Sequence, residues 1–562
     1  MDARLKIVLI ISFIFFSSVF VKLFGVQILQ HAKYLEEARG QQVAKKEITP
    51  DRGKIYVKEG NELYPLATNL TLYSLSIVPS QVSDKEEAAE KLAPLLQKEK
   101  DEIFEKINND KLYLPPIATG LDEEKAEKIK NLKLQGVYLA EEKIRSYSEG
   151  EAFAHILGFV NKEGEGQYGL EGYYNGELKG EKGVMFGEKD LKGRIIYLQG
   201  KQNSIAGADL ILTIDRTIQW KAYKTIKDAV EKFKAVSGSV IIMDPNTGAI
   251  TAMANYPSYE PNKYNEIKQE NYSIFQNPSI AKLYEPGSVF KVITMAIGVD
   301  TEKITKDTSE YFDASVKIGG WTIWTWDKKP HGKQTMTQVL ETSNNVGAVW
   351  VAQKVEKGPF YNYLKKFGFG SVLGIDLEKE ASSPLKAGKK WRDVDLATIS
   401  FGQGISVTPL EMIAATAAIA NGGKLYRPYV VSEIQSPDGK KEEISPKEIS
   451  QVITPATAST VANMMVSVVE KGHGKSAKVS GFKVAGKTGT AQVPKKDGAG
   501  YEENKTIGSF VGFAPAENPR FVMLVKLDEP QGVEWAESTA APVFGELADW
   551  LLRSYWKVAP TE

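Results

Sequence analysis

The sequence predicts a mixed α+β and α/β protein in three parts: an N-terminal transmembrane helix, an elongated α+β pedestal, and a larger domain with a central antiparallel sheet covered by helices. Three observations predict this. An apolar run opens the chain, from Ile7 to Leu29. Segments rich in Glu, Lys, Ala and Leu at helical spacing then alternate with short strand-like stretches. Finally, apolar strand pairs stand at both ends of the C-terminal region and enclose a helical middle.

The opening run spans 23 residues, with Lys22 its only charged residue. That is close to the roughly 20 residues an α-helix needs to cross a bilayer, and Lys22 near one end reaches the head groups. No small-x-small cleavage site follows the apolar core, so the segment reads as an uncleaved anchor rather than a signal peptide. Arg4 and Lys6 precede it, while Lys33, Arg39, Lys45 and Lys46 follow. Counting charges therefore sets no orientation.

Beyond the anchor, His31 to Lys46 is polar and reads as helical, and TPDRGKIYV (Thr49 to Val57) reads as a turn entering a strand. Thr71 to Pro79 alternates as a strand does. Asp84 to Asn108 and Asp122 to Leu132 show the spacing of amphipathic helices. The glycine-rich stretch from Gly158 to Gly200 reads as a linker, because no G-x-x-x-x-G-K-[ST] follows a strand there. LILTID (Leu210 to Asp215) leads into a helix near Thr217. GSVIIMD and AITAMAN then flank Pro245-Asn246-Thr247-Gly248 as a hairpin. IGSFVGFAP (Ile507 to Pro515) and RFVMLVKLD (Arg520 to Asp528) are two further buried strands, and Thr539 to Arg553 closes as an amphipathic helix. Between the strand pairs lie apolar helical stretches, notably Val289 to Val299 and Pro409 to Ile419. Lys557 to Glu562 reads as a frayed tail.

Composition narrows the chemistry. The chain has 562 residues, 71 Lys+Arg against 71 Asp+Glu, four His and no Cys. Neutral net charge leaves no electrostatic footprint for nucleic acid. Without Cys there is no disulfide, thiolate zinc site, Fe–S cluster or Cys nucleophile. The four His (His31, His155, His331, His473) are scattered, which argues against a metal centre. The acidic residues show no paired arrangement suggesting a two-carboxylate mechanism. Hydroxyls, amines, amides and carboxylates remain.

Ser288-Val289-Phe290-Lys291 follows Pro286-Gly287 and runs into VITMAIGVD. Ser288 thus stands at a helix N-terminus, where free N–H groups favour negative charge, and Lys291 lies one turn on, on the same face. A serine hydroxyl is a poor nucleophile until its proton is taken, and a lysine held neutral by burial or a neighbouring cation can take it. The same spacing recurs at Ser279 and Lys282, Ser383 and Lys386, and Ser480 and Lys483. Ordered company distinguishes Ser288. Ser343-Asn344-Asn345 follows 55 residues downstream in a polar break between helices. Lys487-Thr488-Gly489-Thr490, the only K-T-G, follows 199 residues downstream on a strand-like segment. By itself Ser343-Asn344-Asn345 reads as a helix cap; its place in the order sets it apart. The aromatic alternation of Trp321, Trp324 and Trp326 favours strand packing over groove lining, and His331 reads as structural.

The ordered set S-x-x-K, S-x-N and K-T-G resembles that of penicillin-binding proteins and active-site serine β-lactamases. The C-terminal half resembles the transpeptidase domain of class B penicillin-binding proteins, the monofunctional peptidoglycan cross-linking enzymes. YEPGSVFK, His331-Gly332, SFGQGISVTPLE (Ser400 to Glu411), AGKTGTAQ and SFVGFAP carry that resemblance, while the anchor, TPDRGKIY and LTID look like the family's membrane-proximal module. ETSNNVGAVW and YEPGSVFK look more like the division or spore-cortex branch than the cell-elongation branch. One departure lies after Arg52-Gly53-Lys54-Ile55, where YVKEGNELYPLATN replaces the usual acidic-basic-Asn-Gly continuation.

The resemblance implies an anchor over residues 1–30, a pedestal of interaction or dimerisation type over 31–205, a transpeptidase domain over 206–556, and a tail over 557–562. It implies that Ser288 forms an acyl-enzyme with a stem peptide ending in D-alanyl-D-alanine, and that β-lactams acylate the same serine. Lys291 is then the general base, Ser343 the proton donor to the leaving amine, and Asn345 the group that holds substrate and Lys291. Lys487, Thr488 and Thr490 meet the terminal carboxylate, Gly489 allows close approach, and the N–H groups of Ser288 and Thr490 form the oxyanion hole. No metal or cofactor is implied. The implied partners are peptidoglycan stem peptides, β-lactams, a polytopic lipid II polymerase, other cell-wall machinery and the membrane, with the catalytic domain extracytoplasmic and a role in septal wall synthesis.

Other readings use the same serine. A β-lactamase is usually a single soluble domain, whereas here about 200 residues and an anchor come first. A β-lactam sensor would carry more transmembrane segments, and a bifunctional penicillin-binding protein would need a glycosyltransferase module. A catalytically silent scaffold has no use for every motif.

Overall fold

The computed structural model describes residues 2–34, 43–60, 62–109, 115–189, 195–495 and 500–560, which form two compact units. One comprises residues up to 52 together with 179–207, and the other 53–178 together with 208 to the C-terminus.

In the first unit Ala3–Phe24 is an α-helix that continues as a π-turn over Gly25–Leu29. Its 27 residues are long and apolar enough to cross a membrane, and none is buried. Val43–Ile48, Gly183–Lys189 and Ile195–Gln202 form a three-stranded antiparallel sheet. This corrects the helix expected over His31 to Lys46. His31 to Tyr34 are helical, residues 35–42 lie outside the described residues, and Val43 to Lys46 are strand because they pair with Met185 to Glu188. Pairing with a distant strand overrides local polarity.

The glycine-rich stretch is not a bare linker either, although residues 190–194 lie outside the described residues. Phe159–Val160 pairs with Gly166–Gln167, and Gly169–Tyr173 and Asn175–Lys179 are short helices. The glycines are there for contact. A Cβ on Gly158 (φ +75°) would lie 2.2 Å from the Tyr168 carbonyl oxygen, and one on Gly169 (φ +47°) 2.4 Å from that of Ile156.

In the second unit a seven-stranded sheet joins residues distant in sequence. Its order is Lys441–Glu443, Val431–Gln435, Asp209–Leu212, Ile55–Glu59, Glu62–Ile77 and Ala118–Leu121, with Val137–Tyr147 also paired to Glu62–Ile77. The expected helices are present at Lys85–Leu96, Lys100–Ile107 and Glu123–Asn131. They bury Ala88, Leu92, Ile103 and Ile129 with Leu75 and Ile77 of the long strand. Val137–Tyr147 is pinned by Arg145, whose Nε donates to Glu171 Oε1 at 2.7 Å while one terminal nitrogen donates to Asn69 Oδ1 at 3.0 Å. Both charged groups are buried.

The larger part of this unit holds a five-stranded antiparallel sheet. Its strands are β1 (Ser237–Met243), β2 (Ile250–Tyr256), β3 (Ala485–Pro494), β4 (Tyr501–Ala514) and β5 (Phe521–Asp528), in the order β2-β1-β5-β4-β3. The two ends of the domain thus meet where β1 pairs with β5. Every residue of β5 is buried, as expected for a strand covered on both faces. The covering helices are α1 (Arg216–Phe233), α2 (Lys291–Asp300), α3 (Asn345–Val355), α4 (Pro409–Ala420), α5 (Pro455–Glu470) and α6 (Ala540–Asp549). α1 and α6 pack together and on the sheet; α4 and α5 do likewise, and α2 lies among α3, α4 and α5. The tail is not frayed at its start, since Val558 N donates to Leu552 O at 2.7 Å and its side chain packs on the core.

Removing one partner of a buried ion pair strands the other charge in a low-dielectric interior. Arg145→Ala is expected to lower unfolding free energy by about 3–5 kcal/mol, measured by denaturant titration of the full chain. A loss within the noise would mean that the guanidinium contributes nothing net.

Candidate active site

α2 is apolar on all sides, with every residue from Lys291 to Gly298 buried, so it must lie in the core. Its approach is a 3-10 turn, Gly287–Phe290, following Pro286. Ser288 therefore stands one turn before the helix proper and remains half-buried at the surface of a cleft. Gly287 takes φ +60° and donates from N to the Gly402 carbonyl at 2.9 Å. A Cβ on Gly402 (φ +80°) would lie 2.2 Å from the Gly287 oxygen, so two backbones touch directly beneath the serine.

β3, which carries Lys487-Thr488-Gly489-Thr490, is the edge strand of its sheet and packs against the turn at 287–290. At Gly489 a Cβ would come within 2.9 Å of the Pro286 carbonyl oxygen and of Val289 Cγ1. Glycine here is a demand of close approach rather than of backbone angle.

Met336–Glu341 ends in a break in which Ser343 adopts φ +55°, a left-handed conformation costly for a residue with a Cβ. Asn344 is the helix cap, accepting from the N–H groups of Val346 and Gly347 at 2.9 and 3.2 Å. The capping role thus falls on the middle residue, and its neighbours Ser343 and Asn345 both reach Lys291.

The Lys291 amine is completely buried and has four oxygens around it. It lies 2.9 Å from Ser288 Oγ, 3.2 Å from Ser343 Oγ, 2.6 Å from the Ser343 carbonyl oxygen and 2.7 Å from Asn345 Oδ1. Burial pushes its pKa well below the ordinary amine range, and the nearby Lys487 pushes the same way. The two carbonyl oxygens can only accept. A neutral amine gives each of them one N–H and keeps its lone pair for a hydroxyl proton. Lys487, also fully buried, donates to the Thr488 carbonyl at 2.8 Å, and its Nζ lies 3.1 Å from Ser343 Oγ and 3.3 Å from Thr488 Oγ1. Its pKa is pushed down to about 7 by burial, against the pull of Glu537. Ser343 Oγ thus bridges the two amines.

In the competing Ser–Lys spacings the structure gives these residues other partners. Ser279 is buried and donates to Asn255 Oδ1 at 2.8 Å, while Lys282 pairs with Asp528 at 3.2 Å. Lys386 pairs with Asp395 at 3.1 Å and Lys483 with Glu517 at 3.0 Å.

The cleft has a volume of about 230 Å³ and is lined by Ser288, Ser343, Asn345, Thr488 and Thr490 among the residues singled out from sequence. It is also lined by Trp326, Phe401, Gln403, His473, Trp535 and Glu537, to which sequence reasoning assigned no site role. Phe401 and Gln403 lie within the SFGQGISVTPLE segment; the others have no local signature. Trp326 corrects the strand-packing reading of the Trp cluster. It follows the strand Trp321–Trp324 and faces the cleft, while the Trp324 carbonyl accepts from Asn345 Nδ2 at 3.0 Å. His331 sits 3.1 Å from Asp327 Oδ1 and does not line the cleft. Among the described residues no group of three or more His, Asp or Glu could hold a metal ion.

A half-buried hydroxyl in contact with an amine whose pKa burial lowers, beside a sheet edge and a second amine, is suited to nucleophilic acyl transfer. Comparison with known proteins agrees. Residues 238–549 match the penicillin binding protein transpeptidase domain, and residues 47–212 the penicillin-binding protein dimerisation domain. The chain is 34% identical over 556 residues to stage V sporulation protein D of Bacillus subtilis, covering 97% of this chain and 84% of that protein. It is 32% identical to peptidoglycan D,D-transpeptidase FtsI of Escherichia coli, covering 94% and 88%. Among solved structures, penicillin-binding protein 2X of Streptococcus thermophilus superposes with a TM-score of 0.80 at 25% identity, covering 92% and 81%. Penicillin-binding protein 3 of Mycobacterium tuberculosis, complexed with aztreonam, superposes with 0.71 at 25% identity, covering 92% and 98%. The chain belongs to the penicillin-binding protein transpeptidase family.

The backbone contact under Ser288 leaves no room for a methyl group. Gly402→Ala is expected to cost about 1–3 kcal/mol from overpacking and backbone strain, read as a fall in melting temperature. Displacing the serine turn by even ~1 Å is expected to slow acylation by about 10²-fold, read by stopped-flow with a chromogenic cephalosporin. Wild-type rates would mean that the turn is not held by this contact.

Proposed function

We propose that this protein is a serine D,D-transpeptidase that cross-links peptidoglycan stem peptides through an acyl-enzyme on Ser288, and that β-lactams inhibit it by acylating the same oxygen. The observation behind this reading is the Lys291 amine, buried, with its pKa pushed well down, and 2.9 Å from Ser288 Oγ. Its E. coli relative is a peptidoglycan D,D-transpeptidase, and the M. tuberculosis neighbour is a penicillin-binding protein complexed with aztreonam.

Ser288 attacks the carbonyl between the two terminal D-alanines as Lys291 takes its proton. Ser343 Oγ, shared by the two amines, passes a proton to the departing D-alanine nitrogen. Asn345 holds Lys291 and the substrate amide. Lys487, with the Thr488 and Thr490 hydroxyls, receives the terminal carboxylate. The Thr490 Oγ1 already accepts from Ala536 N at 3.1 Å, which leaves its proton for that carboxylate. The N–H groups of Ser288 and Thr490 stabilise the tetrahedral oxyanion, worth roughly 3–4 kcal/mol per donor. An amine from a second stem peptide then takes the acyl group.

In this reading residues 206–556 are the catalytic domain and 31–205 a docking pedestal. The apolar helix holds the protein in the cytoplasmic membrane with the catalytic domain outside, beside a polytopic lipid II polymerase during septal or spore-cortex wall synthesis.

Fluorescent penicillin is expected to label the purified protein covalently. Ser288→Ala abolishes the band and Ser279→Ala retains it; labelling that survives the first change sinks the assignment. The acylation rate constant per penicillin concentration has two limbs. It rises with pH as Lys291 loses its proton, because only the free amine is a base. It falls through about pH 7 as Lys487 loses the charge that meets the carboxylate. Lys487→Arg keeps that charge at every accessible pH, so its alkaline decline disappears. A decline at unchanged pH would assign that limb to another group.

A further inference from the structure

Acylation leaves part of the cleft wall without a task. His473 Nδ1 and Glu537 Oε2 lie 3.2 Å apart, and both residues line the same cavity as Ser288. Glu537 is the one carboxylate among the cleft-lining residues. It stands on the turn Ala536–Ser538, which is tied to the K-T-G strand by the hydrogen bond from Ala536 N to Thr490 Oγ1. The carboxylate is therefore indexed to the strand that holds the acyl donor, and it is close enough to influence the Lys487 amine. His473 follows α5 and is held by its backbone N–H on the Glu341 carbonyl at 3.2 Å.

Two tryptophans wall this corner. Trp326 contacts His473 and Trp535 edge-on, with ring centroids 5.3 and 5.5 Å away. Its Nε1 donates to the Thr342 carbonyl at 3.1 Å, next to Ser343. Three segments remote in sequence thus build a recess with apolar sides and a carboxylate–imidazole pair. In the reading above the buried Lys487 amine, beside Thr488, meets the donor's carboxylate. The His473–Glu537 corner has the chemistry to take a cation.

The second half of a transpeptidation needs such a corner. A primary alkylamine is an ammonium ion near neutral pH, and it cannot attack an ester until it loses a proton. Lys291 is enclosed by Ser288, Ser343 and Asn345 and is committed to the serine side.

We propose that His473 and Glu537 form the acceptor subsite, which binds the incoming alkylammonium of the second stem peptide and takes its proton. This rests on the transpeptidase reading above and adds which residues select the amine over water. The Glu537 carboxylate holds R–NH3+, and the imidazole, oriented by that carboxylate, removes one proton and later releases it to solvent. The nitrogen lone pair of R–NH2 attacks the ester carbonyl on Ser288, and the C–N bond forms. The C–Oγ bond breaks as a second nitrogen proton passes through the Ser343 and Lys291 groups to Ser288 Oγ. An amide and a free hydroxyl result.

The test uses the full chain in detergent with an acyl-D-alanyl thioester as donor and D-alanine as acceptor, separating amide from hydrolysed acid by chromatography. The ratio of amide to acid is read per acyl-enzyme, so a change in acylation rate cancels, and the acid peak reports that each variant is folded. Glu537→Gln and His473→Asn are each expected to lower the ratio about tenfold, equivalent to ~1.4 kcal/mol. Glu537→Asp is expected to recover part of it. Ratios within about twofold of wild type in both variants would overturn the subsite. Absence of Ser288 labelling by penicillin in the wild type would instead sink the transpeptidase reading itself.

Discussion

Two lysine amines are buried within reach of one serine hydroxyl, and the rest of the catalytic domain is arranged to keep them there. Lys291 and Lys487 both contact Ser343 Oγ, and both are fully excluded from solvent. Burial disfavours the ammonium form of both, and the neighbouring Lys487 adds to the downward shift at Lys291. For Lys291 the result is an amine that, in the proposed reading, serves as the base for Ser288. Its proton equilibrium is set by the helices packed around α2, which is why a helix with almost no polar surface begins with a lysine.

That burial demands close backbone contact. Gly489 on β3, Gly287 before the serine and Gly402 opposite it each let main chain approach main chain. An edge strand is normally a liability, because its free N–H and C=O groups invite pairing. Here the edge of β3 faces the serine turn and the cleft, so an extended peptide can lie along it. The strained φ of Ser343 belongs to the same constraint: its hydroxyl and carbonyl oxygen both reach Lys291 only because the chain turns left-handed between two helices.

Much of this was legible in the chain. The apolar anchor, the hairpin at 237–256, the strands at 507–514 and 521–528 and the helices at 291–300 and 409–420 were readable because each has a strong period or a continuous apolar run. The serine, its lysine and the two downstream motifs were readable because nucleophilic chemistry restricts residue type and order. Other readings failed where contacts beyond the local pattern decided the outcome. Val43 to Lys46 became strand and Trp326 turned to the cleft because of partners far away in sequence, while the glycine-rich stretch folded through close backbone contacts of its own, such as Gly158 on Tyr168. His473, Trp535 and Glu537 were invisible for the same cause, having no local pattern and meeting only across the cleft.

The order of chemical groups along the chain, and the alternation that makes a strand or helix at each place, are local properties, so the sequence by itself determined them. What surrounds each of the four Ser–Lys spacings was decided by tertiary structure. Desolvation comes from atoms contributed by remote segments, and only Lys291 is enclosed by carbonyls and hydroxyls, whereas Lys282, Lys386 and Lys483 rest on carboxylates. An amine becomes a base or stays a surface charge according to what packs around it, and that packing exists only once β3, α2 and the break at Ser343 have met.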